Sequence, residues 1–237
     1  MSAFAALYRT ILGSVASRGR VGALAALGAA ATLVGLAVGL SDPPNADRAG
    51  AQFVNGLGLS VLVPVIALVF ASSAFGDLMD DGTLVYLWLR PLPRWQLALA
   101  AYGAALTVTV PLTVLPLGLG AVLTGADAAV VTGAAAAIVL GAVAYAGLFT
   151  ALGLRVQRAL PWGLAYILIW EGFVAQAGRG AGRLAVRAYT RSILAEAAGV
   201  RLRLASESVP TAIAVPLAVA AIAVGYTAFR LHRHDVP

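Results

Sequence analysis

The chain has 237 residues, of which 61% are hydrophobic and 11% charged, and it carries a formal net charge of +6. A soluble domain carries roughly 25% charged residues, so the composition excludes an ordinary soluble fold and indicates an integral membrane protein. With no cysteine, disulfides, thiolate metal sites and cysteine nucleophiles are excluded, and the basic residues, all arginines, are expected to set topology and meet lipid headgroups rather than nucleic acid.

In chain order, residues 2–17 place Phe4, Leu7, Tyr8, Ile11, Leu12 and Val15 on one helical face. This predicts a helix lying in the cytoplasmic interface before the first span. No long apolar core precedes a small-residue cleavage site there, so no cleavable signal peptide is expected. About twenty apolar residues are needed to cross the hydrocarbon core. Six segments qualify, at about 21–40, 56–75, 96–122, 128–152, 160–177 and 209–229. Pro64, Pro111, Pro116 and Pro216 fall inside spans, where neighbouring helices or water must satisfy the freed carbonyls. Gly22, Gly28, Gly35 and Gly39 suggest a close-packing face on the first span. No soluble domain fits, so residues 1–237 read as one all-α membrane domain.

Between the second and third spans lies a charged foot, Asp77 to Arg94. Its first half reads as a short amphipathic helix, and Gly82-Thr83 breaks the acidic run of Asp80 and Asp81. Leu84, Leu87 and Trp88 follow at helical spacing. Pro91 and Pro93 force an extended elbow, because proline fixes its own φ and disfavours helix in the residue before it.

The connection between the fifth and sixth spans is unusual. Val186, Tyr189, Ile193, Ala197, Val200 and Leu204 repeat at three or four residues, and Arg183, Arg187 and Arg191 form a separate stripe. This predicts one or two outer amphipathic helices, broken near Gly199, with the arginines facing lipid phosphates. Glu171 lies about 16 Å into the fifth segment at helical rise, where an ionisable group is costly and a functional candidate. Glu171 either lines or gates a transport path, with Arg179 or Arg183 as partner, or is a structural carboxylate bonded to a neighbouring helix or to Gln176. Nine arginines, Arg9, Arg18, Arg20, Arg90, Arg94, Arg155, Arg158, Arg230 and Arg233, fall on the inner segments and only Arg48 in the two short outer loops, while the remaining six, in the long connection between the fifth and sixth spans, run against this bias. This bias predicts both termini in the cytoplasm.

Asp80-Asp81-Gly82-Thr83-Leu84 followed by Arg90-Pro91-Leu92-Pro93-Arg94 resembles the type-2 permease class of ATP-binding-cassette (ABC) exporters. Gly76-Asp77 stands where that family often has a glutamate, and Ala100-Ala101-Tyr102 where it often has a lysine. The stretch Tyr166 to Gly172 and the later Arg187-Ala188-Tyr189-Thr190-Arg191 also look like a subset of bacterial type-2 permeases. The resemblance implies a coupling helix docking into a separate ATPase subunit, through Asp77, Asp80, Asp81, Gly82, Thr83, Leu84, Arg90 and Arg94. It further implies two ATPase copies that bind ATP and Mg, a second permease copy making a homodimer, outer helices capping the pathway, and a multi-pass protein of the bacterial plasma membrane.

The chain contains no lysine and no phosphate-binding loop, and Asp80 and Asp81 point about 100° apart on a helix. It is therefore expected to catalyse no reaction and to bind no cofactor. His232 and His234 read as part of a charged tail rather than a metal site. A haem-exporter subunit of the cytochrome-c-maturation type and a non-transporting scaffold subunit are the alternatives. A secondary transporter fits less well, with one buried carboxylate and no inverted repeat.

Overall fold

Backbone groups in hydrocarbon must pair within their own segment, so long apolar runs become helices. The computed structural model describes residues 3–80, 93–176, 179–203 and 205–233. The elements are α1 (Ala3–Val15), α2 (Arg18–Leu40), α3 (Ala46–Phe53), a first π-helical stretch (Val54–Leu62), α4 (Val63–Asp80), α5 (Arg94–Leu123), α6 (Ala128–Arg155), α7 (Ala159–Ala165), a second π-helical stretch (Tyr166–Glu171), a 3-10 turn (Val174–Gln176), α8 (Arg179–Gly182), α9 (Val186–Ala198) and α10 (Val209–Arg233). Every regular element among the described residues is helical.

Five helices are long and apolar enough to cross a membrane, not the six expected: Arg18–Leu40, the continuous run Ala46–Met79, Arg94–Leu123, Ala128–Arg155 and Val209–His232. The second of these begins ten residues before the predicted 56–75 span, because α3 and the first π stretch continue directly into α4. The predicted fifth span, 160–177, does not form a membrane-length helix. From Ala159 the chain is helical only to Glu171, about 20 Å at 1.5 Å per residue, against roughly 30 Å of hydrocarbon. The helix stops where the Glu171 carboxylate is taken up by groups inside the bundle, and the wide turn closes with the Gly172 N–H donating to Ile167 O at 3.0 Å.

The directions of the helices follow from their contacts. Arg20, at the start of α2, meets Asp77, near the end of α4, at 2.6 Å. Gly153 near the end of α6 lies against Ser72 of α4, and Gly147 of α6 against Ala220 of α10. Arg155 donates to the Tyr226 hydroxyl at 3.3 Å. Thus α4, α6 and α10 run parallel, and the start of α2 and the ends of α4, α6 and α10 share one face. On the opposite face the Asp127 N–H donates to Asp47 at 2.8 Å. Because α6 and α10 are parallel, the chain must return between them. It does so through the short α7, the second π stretch and the elements up to Val209.

The helix α6 is the centre of the packing and touches α4, α5, α9 and α10. By contrast, only 17% of the most apolar window of α2 is buried, against 56% for α6. α2 lies along α5, and a Cβ on Gly35 would stand 2.6 Å from the Gly120 Cα. Of the small-residue face expected on the first span, Gly28, Gly35 and Gly39 lie on the α2–α5 seam, while Gly22 faces open space. α1 forms as expected, with Leu7, Ile11 and Val15 buried, and docks on α5 and α4. The Tyr8 and Thr107 hydroxyls lie 2.6 Å apart.

α9 ends at Gly199, whose φ of 60° is the left-handed cap that glycine adopts without penalty. Its placement differs from the headgroup helix expected. Gly141, midway along α6, faces Thr190, and Gly133, nearer its start, faces Ala197. α9 is therefore antiparallel to α6 and runs from mid-bundle toward the face of Asp47 and Asp127. Residues 186–194 are all buried. No second helix follows Gly199 among the described residues before α10.

Candidate functional site

Burial leaves few charged side chains in the bundle, and among the described residues those few, Glu171, Arg187 and Arg191, form one cluster. Glu171 ends the second π stretch and is fully buried. It accepts hydrogen bonds from the hydroxyls of Tyr145, on α6, and of Tyr166, the latter at 3.2 Å. Phe149 completes the aromatic wall, stacked on Tyr145 at 5.9 Å and edge-on to Tyr166 at 6.1 Å. Arg187, one residue into α9, brings Nε to 3.5 Å from Glu171 Oε2. That distance makes an ion pair but not a hydrogen bond, and Arg187 Nε has no hydrogen-bond partner among the described residues.

The rest of the Arg187 guanidinium reaches two backbones. Nη1 donates to Glu171 O at 3.4 Å and Nη2 to Ser60 O at 2.7 Å. The second contact has a cause in the sequence. In an α-helix Ser60 O would accept from residue 64, and Pro64 has no N–H to give. Arg187 occupies that vacancy, as intramembrane prolines require of their neighbours. One turn along α9, Arg191 donates to Ser60 Oγ at 3.1 Å and to Arg203 O at 3.3 Å. The Ser60 hydroxyl in turn donates to Asn55 O at 2.7 Å. Both π-helical stretches therefore contribute to one site, in keeping with the frequency of π turns at functional positions.

The side chains of Arg187 and Arg191 are respectively 5% and 7% exposed as whole residues. Arginine stays protonated in proteins. With Glu171 ionised, the cluster carries a net charge of +1, from two guanidiniums and one carboxylate. A buried pair of this kind fixes geometry more than it stabilises, because desolvation consumes most of the Coulomb attraction. It brings together α6, α9 and both π stretches.

The expected site residues separate as follows. Glu171 is buried as predicted, and among the described residues its charged partner is Arg187 and not Arg183. The side chains of Gln176 and Arg179 lie outside the described residues. Arg183 is exposed and pairs with Glu207 at 3.2 Å, while Arg187 and Arg191 point into the bundle, away from lipid phosphates. Sequence reasoning missed Tyr145, Tyr166 and Ser60. A tyrosine inside an apolar span is itself a signal, since its hydroxyl needs a partner when buried.

At the foot, Asp77 pairs with Arg20. Arg94 is the first residue of α5, and Pro93 before it is extended at φ −60°, ψ 132°, the elbow expected of proline. Asp80 is placed as the last residue of α4, and its side chain, with Asp81, Gly82, Thr83, Leu84 and Arg90, lies outside the described residues. Among the described residues no group of three or more His, Cys, Asp or Glu side chains could hold a metal.

No protein-family model matches the chain, and no curated protein matches it. Its architecture is that of an all-helical, polytopic membrane protein, consistent in general with a membrane transport subunit.

Proposed function

We propose that the chain is the transmembrane permease subunit of an ATP-binding-cassette exporter. It works with two copies of a separate ATPase, which binds ATP and Mg, and with a second permease copy that completes the pathway. The observation that carries this reading is the Arg20–Asp77 pair at 2.6 Å. It ties α2 to α4 at the root of the segment that resembles the family's docking element. An ATPase seated on residues 80–94 would pull on the ends of α4 and α5 directly, and on α2 through Arg20.

Packing supports a route inward. α4 lies against α6, with Gly153 admitting the Ser72 backbone. α6 carries Tyr145, which holds Glu171. Displacement at the foot thus reaches the buried ion pair through two packed helices. On this reading the face of Arg20, Asp77, Arg155 and Arg158 is cytoplasmic, in line with the positive-inside rule. The bundle shifts between two states because the foot binds the open and closed ATPase differently. The substrate is hydrophobic or amphipathic, as the apolar walls demand, and this chain carries out no chemical step.

Charge reversal at Asp80 or Asp81 tests the reading. D80R and D81R are expected to leave the membrane subunit folded while abolishing ATPase association and transport. Unchanged transport and unchanged assembly in both variants would remove the basis for it.

A further inference from the structure

On the face of Arg20 and Asp77, a cavity of about 150 Å³ opens between the start of α2, the last turns of α4 and the start of α7. That is room for about five waters. Its polar wall is Arg20, Ser72, Ser73, Asp77 and Arg158. Two guanidiniums against one carboxylate leave the wall with a net charge of +1. Arg20 spends Nη2 on Asp77, but its Nη1 is buried without a partner among the described residues. Arg158 is exposed, and no described residue pairs with it. Its backbone is held in the left-handed region at φ 55°, ψ 54°, where non-glycine residues are uncommon.

The wall continues into Leu160, beyond which Trp162 and Leu168 are also exposed. They belong to the short crossing segment, which leaves apolar surface beside a cationic hollow at the helix ends. A charged hollow at headgroup level with an apolar ridge above it matches an anionic amphiphile. Basic pockets between membrane helices bind such headgroups.

We propose that this cavity binds the phosphate of an anionic phospholipid. The phosphate bonds Arg158 and Arg20 Nη1, and the acyl chains lie along the exposed side of α7. The binding claim stands whether or not an ATPase couples to this face.

The test is lipid binding to the purified full chain in mild detergent, by native mass spectrometry and by thermal stability. Phosphatidylglycerol, phosphatidylcholine and inorganic phosphate are titrated separately. One phosphatidylglycerol is expected to be retained and to raise the melting temperature, with phosphatidylcholine and millimolar inorganic phosphate having little effect. R158Q, at an exposed side chain with no partner among the described residues, is expected to fold normally and to weaken phosphatidylglycerol binding about tenfold, the loss of one charge-assisted hydrogen bond. R48Q, on the opposite face, is expected to bind like the parent. Parent-like binding by R158Q, or equal losses in R158Q and R48Q, would overturn the assignment of the cavity. Saturation by inorganic phosphate as readily as by lipid would overturn the lipid as its ligand.

Discussion

The buried pair makes an asymmetric demand on the fold. In E171Q the Arg187 guanidinium stays charged, keeps its two backbone acceptors, and loses the one carboxylate that pairs with it among the described residues. It also remains beside a second buried cation, Arg191. Removing one member of a buried pair costs about 3–5 kcal/mol, and E171Q is expected at the upper end. In R187M the Glu171 side chain retains hydrogen bonds from Tyr145 and Tyr166 and relieves its charge by taking up a proton. R187M is therefore expected at the lower end. The double variant loses both charges and is expected to recover a coupling energy of about 1–3 kcal/mol. Thermal unfolding in detergent, followed by tryptophan fluorescence, measures all four states. At roughly 2–4 °C per kcal/mol for a chain of this length, the single variants should melt about 6–20 °C below the parent. A cycle additive within about 0.5 kcal/mol, or an E171Q protein as stable as the parent, would show that the two groups do not hold each other.

Two further outcomes follow from the packing and the topology. Gly35→Leu drives a side chain into the Gly120 backbone and is expected to cost about 1–3 kcal/mol by overpacking. Gly22→Ala, with open space around it, should be neutral or stabilise by up to about 1 kcal/mol through helix propensity. Thermal unfolding of the two side by side reads the difference. Because the chain has no cysteine, single-cysteine variants can be labelled cleanly with a membrane-impermeant maleimide. S17C, Q157C and H232C should label from one side and S41C from the other. Labelling of Q157C and H232C from opposite sides would refute the return of the chain through the short α7 segment.

Much of this architecture was legible in the sequence where one physical requirement dominated. Length and hydropathy sufficed for the five membrane-length helices, from α2 to α10. The 3.6-residue period gave α1, and Gly199 marked the end of α9. Pro64 announced a freed carbonyl, though not that Arg187 would take it. The fifth span failed because an apolar run reports only that a segment avoids water. It does not reveal that Glu171 finds two tyrosines and an arginine that end the helix within the bundle. The arginine stripe of α9 failed similarly. A short helix with one cationic face suits a headgroup layer and a buried polar cluster equally well. Only the carboxylate, the freed Ser60 carbonyl and the serine hydroxyl across the gap decide between them. The Arg20–Asp77 pair joins residues 57 apart, and nothing local in the sequence connects them.

The most direct test of the exporter reading is what accompanies the protein. The tagged chain would be purified from its native membrane in several mild detergents, and its partners identified and quantified. The account predicts a soluble subunit with a Walker-type ATPase motif, equimolar with the permease and lost in D81R. Absence of any such ATPase across those detergents, with D81R otherwise indistinguishable from the parent, would contradict it and favour a membrane scaffold.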